Sequence, residues 1–495
     1  MSQAFALPEG TAFSPGMRLF EEPMENAAAP AGKRPIAVIG AGFSGTIAAL
    51  HLLRRLPADQ PVLLCERAPE FARGVAYASG NPDHLLNVRA TNMSALADEP
   101  QHFADWLKNR LGDTYEGLQA TEAGLFASRG LYGRYLRGIL DNAMRDSVGH
   151  AQLRLLPDDV TDIVASEHGG FLLSCASGTT VEAAGIVLAV GNLPPEESIE
   201  PRICTNPWGE KAWAKPDSDL PVLIVGTGLT MVDLAISLRR QGLTAPIIAM
   251  SRGGLLPARH AHTLPWPTPQ FTLAEEESLS LLLSRVRDEA FAAAEQGVDW
   301  RAVVDSLRPI TARIWARLPQ SERRRFLRHA RRFWDVHRHR MAPPHAEIID
   351  ALRADGSLQV LAGRISSMEP GAHSVNVHYT PRGTGRPETL RVQRVIMASG
   401  LEPVAQTRDP LMRRLQERGL IRVDAEGLGL DVTDGLNVIR ADGAVSDRVW
   451  ALGPIVRGVF WECVAVPDIR VQASHVAVSV VARLREDAPR WGFSI

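Results

Sequence analysis

The stretch that most limits what this chain can fold into is Ile36-Ala37-Val38-Ile39-Gly40-Ala41-Gly42-Phe43-Ser44-Gly45. A short β-prone apolar run feeds G-x-G-x-x-G, and a small-residue run continues through Leu50. That pattern predicts a strand, a tight turn and a helix whose N-terminus receives a dinucleotide pyrophosphate. Gly40 permits the turn, Gly42 lets phosphate approach the backbone, and Gly45 lets helix and strand pack closely. Phe43 and Ser44, inside the motif, count with them as cofactor-binding residues. The next apolar run, Val62-Leu63-Leu64-Cys65, ends in Glu66, where the fingerprint places an acid on a ribose hydroxyl pair. Arg67 beside it is a further candidate contact.

A chain of 495 residues is too long for one ordinary core, so two or three domains are expected. A net charge of −2 gives no global attraction to nucleic acid or acidic membranes. Cys65, Cys175, Cys204 and Cys463 are scattered singly, without C-x-x-C, a disulfide framework or zinc spacing. A reduced, cytoplasmic chain without a metal site is therefore expected. Residues 1–33, rich in Ala, Pro and Glu, read as a disordered leader rather than a signal peptide. No continuous apolar stretch reaches membrane-spanning length. A homo-oligomer stays open.

A second turn follows in Val222-Leu223-Ile224-Val225-Gly226-Thr227-Gly228-Leu229-Thr230-Met231. Met231 stands at the third glycine position, so this helix should cross its strand less closely than the first. The following strand, 247–250, ends in Ser251-Arg252 instead of an acid. That exchange suits a ribose 2′-phosphate and favours NADPH over NADH, with NADH still open and a plain surface arginine as the alternative. Segments 152–156, 160–165 and 170–175 alternate as an antiparallel meander. Helical patterns at 273–296, 299–318, 321–339 and 345–353 form an arginine-rich insertion, most of whose charge belongs to a solvated face. The expected fold is α/β, with two Rossmann-like dinucleotide-binding domains. Residues 34–200 and 390–495 form the FAD-binding domain, and 201–389 the NAD(P)H-binding domain with a helical insertion at about 268–352. Two such turns make a hydride path from nicotinamide to flavin. With no cysteine pair, the flavin is not expected to reduce a disulfide.

Several further motifs resemble one bacterial FAD/NAD(P)-binding monooxygenase family. They are Gly74-Val75-Ala76-Tyr77, His84-Leu85-Leu86-Asn87-Val88 with Met93-Ser94, and Arg129 with Tyr132-Gly133-Arg134-Tyr135-Leu136. Gly226 through Asp233, Ser251-Arg252, Arg338-His339-Arg340 with Pro343, and Gly453-Pro454 with Arg457-Gly458 and Trp461-Glu462 also match. The resemblance spans nearly the whole chain after residue 33. It implies an oxidoreductase that uses FAD, NADPH and O2 to oxygenate a small anionic metabolite through a flavin hydroperoxide. Family activities include urate hydroxylation and N-hydroxylation of aspartate to nitrosuccinate. Urate is the expected substrate and an amino-acid amine the alternative; a flavin reductase without oxygen insertion is the reading from another class. Arginine forks are the natural clamps for such substrates. Arg340 and Arg457 are the candidate clamps, with His84, Asn87 and Arg89 as neighbours of the flavin ring and Met93 and Gly453 as further cofactor-binding residues. For each arginine a structural ion pair is the alternative, and for His84 a satisfied loop histidine. No residue stands out as a catalytic base.

Overall fold

The computed structural model describes residues 33–111, 115–145, 151–167, 169–193, 195–213, 218–400 and 402–486. But for Lys33, the leader expected over 1–33 lies outside them.

Two parallel-centred sheets organise the chain. The first holds six strands in the order Asn437–Ile439, Val445–Ala451, Gly185–Leu188, Ile36–Ile39, Val62–Cys65, Leu153–Leu156. Ile36–Ile39 sits at its centre, with Ile36 level with Val62 on one side and Gly185 on the other. All four of its residues are buried, as expected of an apolar run covered on both faces. Helix Phe43–Leu53 is buried along its whole length, and the C-terminal helix Val466–Glu486 packs against it. That contact explains why small residues fill both helices.

The second sheet has seven strands, in the order Ile203–Cys204, Arg394–Met397, Val222–Val225, Ile247–Ser251, Leu358–Pro370, Val375–Pro381, Glu388–Val392. The first five run parallel and the last two turn back as antiparallel hairpins.

Two sequence expectations are corrected here. Leu153–Leu156 is not part of the meander but pairs parallel with Val62–Cys65 at the edge of the first sheet. The three-stranded meander is instead Val160–Ala165, Phe171–Cys175 and Thr180–Ala183. Alternation reports which faces of a strand are buried and says nothing about its pairing direction. Likewise Arg394–Met397 lies beside Val222–Val225 in the second sheet. The chain therefore returns to the first sheet later than the expected boundary at 390.

The insertion is helical but more broken than its periodicity suggests. Thr272 and Glu275 form a capping box at the start of Leu273–Glu276, and helix Leu279–Glu295 follows. Asp299 caps Trp300–Ser306, and Pro309 sits in the first turn of Arg308–Arg317, where proline costs no helical hydrogen bond. A π-turn over Phe326–Ala330 joins Gln320–Arg325 to Arg331–Arg338. Leu279, Leu282, Ile314, Trp315, Leu318 and Phe326 form a small separate core, against which Trp461 of the C-terminal segment packs.

The seam between the two nucleotide domains is buried and polar. Arg129 pairs with Asp233 at 3.0 Å. Ser237 meets the His84 ring at 2.7 Å and accepts from the Asn81 amide at 2.9 Å. His345 donates to the Asp83 carbonyl at 2.7 Å.

Candidate active site

At the first turn, Gly40 has φ +95°, a conformation that favours glycine. A Cβ on Gly45 would sit 1.8 Å from the Gly40 carbonyl oxygen, so the strand–helix approach permits no side chain there. The Glu66 carboxylate accepts from the Ala41 N–H at 2.7 Å and the Ala68 N–H at 3.1 Å, which holds it beside the turn. Gly453 arrives from the chain's end with φ +80°, and a Cβ there would meet the Ser44 hydroxyl at 2.4 Å. Its N–H donates to Gln472 on the C-terminal helix. Gly453 thus packs directly on the first turn at Ser44. These features fit a dinucleotide: a bare glycine cradle, a helix N-terminus and a tethered carboxylate.

The second turn fits as well. Gly226 is pressed against the Ala398 carbonyl, whereas a Cβ on Gly228 would meet nothing within 4 Å, leaving space at the N-terminus of helix Leu229–Arg240. Thr227 joins the Ser251 hydroxyl at 2.9 Å and donates to the Leu255 carbonyl at 2.6 Å, which shapes the loop after Ile247–Ser251. Arg252 is exposed at the end of that strand, and Thr230 lies on the first turn of the helix. Met231 is fully buried in the second core.

Between the two domains and the insertion lies a cavity of about 630 Å³. Asn87, Arg89 and Met93 line it from the first domain, Asp305, Arg308, Arg338, His339 and Arg340 from the insertion, and Val464–Val466 from the C-terminal segment. Arg89 is fixed by its Nε on the Ala123 carbonyl and by Nη2 on the Ala261 carbonyl at 3.0 Å. His260, also on the wall, donates to the Asn87 carbonyl at 2.9 Å. Burial, reinforced by the Arg340 charge, pulls the His260 pKa down to about 4, so this imidazole stays neutral at pH 7.

Arg340 is only 2% exposed. Its Nη2 pairs with Asp305, while Nε and Nη1 have no partner among the described residues. Burial lowers its pKa, and Asp305 opposes that effect. Chain direction explains the placement: Arg331–Arg338 ends one turn before Pro343, which forces the chain out of the helix and turns 339–342 inward.

The remaining sequence candidates lie elsewhere. His84 is buried and borders a second cavity of about 510 Å³, with Ser79, Asn81, Trp208 and Gln241. Its two ring nitrogens meet Ser79 at 2.6 Å and Ser237 at 2.7 Å. Arg457 donates to the Glu402 carbonyl at 2.8 Å and is not on the cavity wall with Arg340. Arg67 pairs with Asp409 at 3.0 Å and Asp159 at 3.3 Å. Asp305 and Arg308 escaped sequence reasoning because they sit in a charge-rich helical stretch where only packing separates a wall residue from a solvated one.

This arrangement defines a mixed α/β flavoprotein fold with two Rossmann-type FAD/NAD(P)-binding domains. Residues 37–193 match a family described as FAD-NAD(P)-binding. No curated protein sequence matches the chain. Among solved structures it is similar to an ornithine N-hydroxylase from Kutzneria sp. 744, solved with reduced FAD, NADP+ and L-ornithine. The TM-score is 0.59 at 13% identity, covering 92% of this chain and 100% of that one. It is similar also to an L-lysine 6-monooxygenase from Pseudomonas syringae, with TM-score 0.57 at 17% identity, covering 91% and 100%. A third, the FAD-bound cadaverine monooxygenase of Erwinia amylovora, has TM-score 0.58 at 12% identity, covering 90% and 94%.

Proposed function

We propose that this protein is an FAD-dependent, NADPH-using monooxygenase that hydroxylates the amine nitrogen of a small amino acid. One observation carries the reading: the buried Arg340 guanidinium, with two unpartnered donors, shares the cavity wall with the Asp305 carboxylate. Asp305 is 36% exposed and remains open to a second partner. A zwitterion satisfies both charges, its carboxylate on the arginine side and its ammonium near Asp305. Urate, the expected substrate on family resemblance, is an anion and leaves Asp305 facing like charge. The named substrates of the similar structures, ornithine, lysine and cadaverine, are all amines.

In this reading the first turn and Glu66 hold FAD, and the second turn with Ser251 and Arg252 holds NADPH. Bound FAD, once reduced, supplies the activated oxygen. The chain's own part is to bind and orient the amine, and to exclude water with Val464–Val466 and the insertion. The test is NADPH oxidation by the FAD-loaded enzyme in air with L-aspartate, L-ornithine, L-lysine, cadaverine and urate in turn. An amino acid should stimulate it and gain one oxygen atom by product mass. Loss of urate absorbance with all four amines inert would reverse the assignment.

A further inference from the structure

An amine nitrogen accepts oxygen only through its lone pair, yet free amino groups carry pKa values between about 8 and about 10.4 and enter the site as ammonium at pH 7. Something on the wall must take a proton. Asp305 is a weak acceptor because it already pairs with Arg340, and His260 is turned to the Asn87 carbonyl with its other nitrogen buried.

His339 is differently placed. It lines the cavity, its side chain 30% exposed, and its Nε2 lies 3.6 Å from the Glu462 carboxylate. Glu462 is itself buried and held from two further sides, by the Trp334 indole N–H at 2.7 Å and Arg338 at 3.3 Å. It has φ +75°, a backbone state that persists in a non-glycine residue only where its surroundings over-determine it. The Trp334, Arg338 and His339 contacts place the Glu462 carboxylate at the end of helix Arg331–Arg338.

We propose that His339 is the proton acceptor for the substrate ammonium and that Glu462 is its positioning residue. The proposal rests on the amine-hydroxylation reading and deepens it. In its acceptor form the imidazole keeps its proton on Nε2 beside Glu462 and offers the Nδ1 lone pair. The 3.6 Å separation is longer than a hydrogen bond, and such contacts tighten when substrate closes the site. The charged groups around the ring balance. Glu462 approaches from the C-terminal segment, and Asp335, paired with Arg331 at 3.4 Å, from one turn back on its own helix. Arg338 and Arg340 flank it in sequence, and Asp305 and Arg308 share the cavity wall, Arg308 paired with Asp468.

The proton balance closes. R–NH3+ with NADPH and O2 gives R–NHOH, NADP+ and H2O. NADPH is oxidised, one oxygen atom joins nitrogen and the other leaves as water. The ammonium proton lost to His339 is returned when that water forms, so none is drawn from solvent overall.

The test uses the full-length FAD-loaded enzyme and L-ornithine or L-aspartate, whichever the wild type hydroxylates. His339→Gln should lower kcat/KM at pH 7 by roughly 10²-fold, and activity should then rise only as the substrate ammonium itself ionises. His339→Ala should recover part of the lost rate on addition of imidazole. Glu462→Gln should act in the same direction more weakly. Unchanged pH profiles with no effect of imidazole, in variants that retain FAD, overturn the assignment while hydroxylamine formation by the wild type upholds the reading beneath it. Absence of hydroxylamine from the wild type with every amine overturns both.

Discussion

Arg129 and Asp233 join the two nucleotide domains through a 3.0 Å ion pair in which the aspartate is 3% exposed and the arginine 18%. Arg129 opens the helix Arg129–Arg145 and also reaches the cavity wall. Asp233 belongs to the helix that begins at the second glycine turn. The pair therefore ties the helix after the second glycine turn to the first-domain wall of the cavity. Removing one partner strands the other, which in buried settings costs about 3 kcal/mol. Asp233→Ala should lower the melting temperature by roughly 3 °C, and calorimetry of the FAD-loaded protein checks it. An unchanged melting temperature would show that the seam does not depend on this pair.

The two glycine turns predict opposite outcomes for superficially similar substitutions. At Gly45 even a methyl group meets the Gly40 carbonyl at 1.8 Å, whereas at Gly228 there is open space. Gly45→Ala should disrupt the turn and yield protein without flavin absorbance. Gly228→Val should fold and keep FAD, but occupy the space that pyrophosphate needs and raise the KM for NADPH by roughly 10-fold or more. Flavin-to-protein absorbance ratios and steady-state kinetics separate the two.

Local chemistry accounts for what was legible in the chain. A glycine turn is readable because backbone sterics act within a few residues, and so 40–45 and 226–228 announced both Rossmann-type domains. Membership of Leu153–Leu156 and Arg394–Met397 in their sheets was not readable, since parallel pairing is decided by crossovers that leave no local mark. Within the site, Arg340 was legible as an arginine ahead of a proline stop. Its partner Asp305 and the meeting of His339 with Glu462 depend on segments far apart in the chain, and no residue pattern encodes that distance. His84 and Arg457 illustrate the converse: each sits in a motif, and the fold engages each in interactions away from Arg340.

For the coenzyme, Arg252 follows Ser251 at the strand end where the first domain instead carries Glu66. In the proposed NADPH site its exposed guanidinium grips the 2′-phosphate and has nothing comparable to grip on NADH. Arg252→Ala should raise the KM for NADPH by roughly 10-fold, worth about 1.4 kcal/mol, with little change for NADH. Equal effects on both coenzymes would remove the 2′-phosphate role.

Glu462 supplies a pH dependence whose sign follows from its surroundings. Burial alone would push its carboxyl up, but His339, Arg338 and the Trp334 N–H outweigh burial and hold it at about 2, below an ordinary value of 4.5. A group depressed in the folded state stabilises the protein fully above its unfolded pKa and loses that contribution as pH falls through its folded pKa. Glu462→Gln should therefore melt below the wild type at pH 7, and the gap should narrow from about pH 4.5 down toward pH 2. Melting curves of both proteins at pH 7, 5, 4 and 3 check this. A gap that stays constant across the series would mean that the lost stability comes from packing around residue 462 and not from its charge.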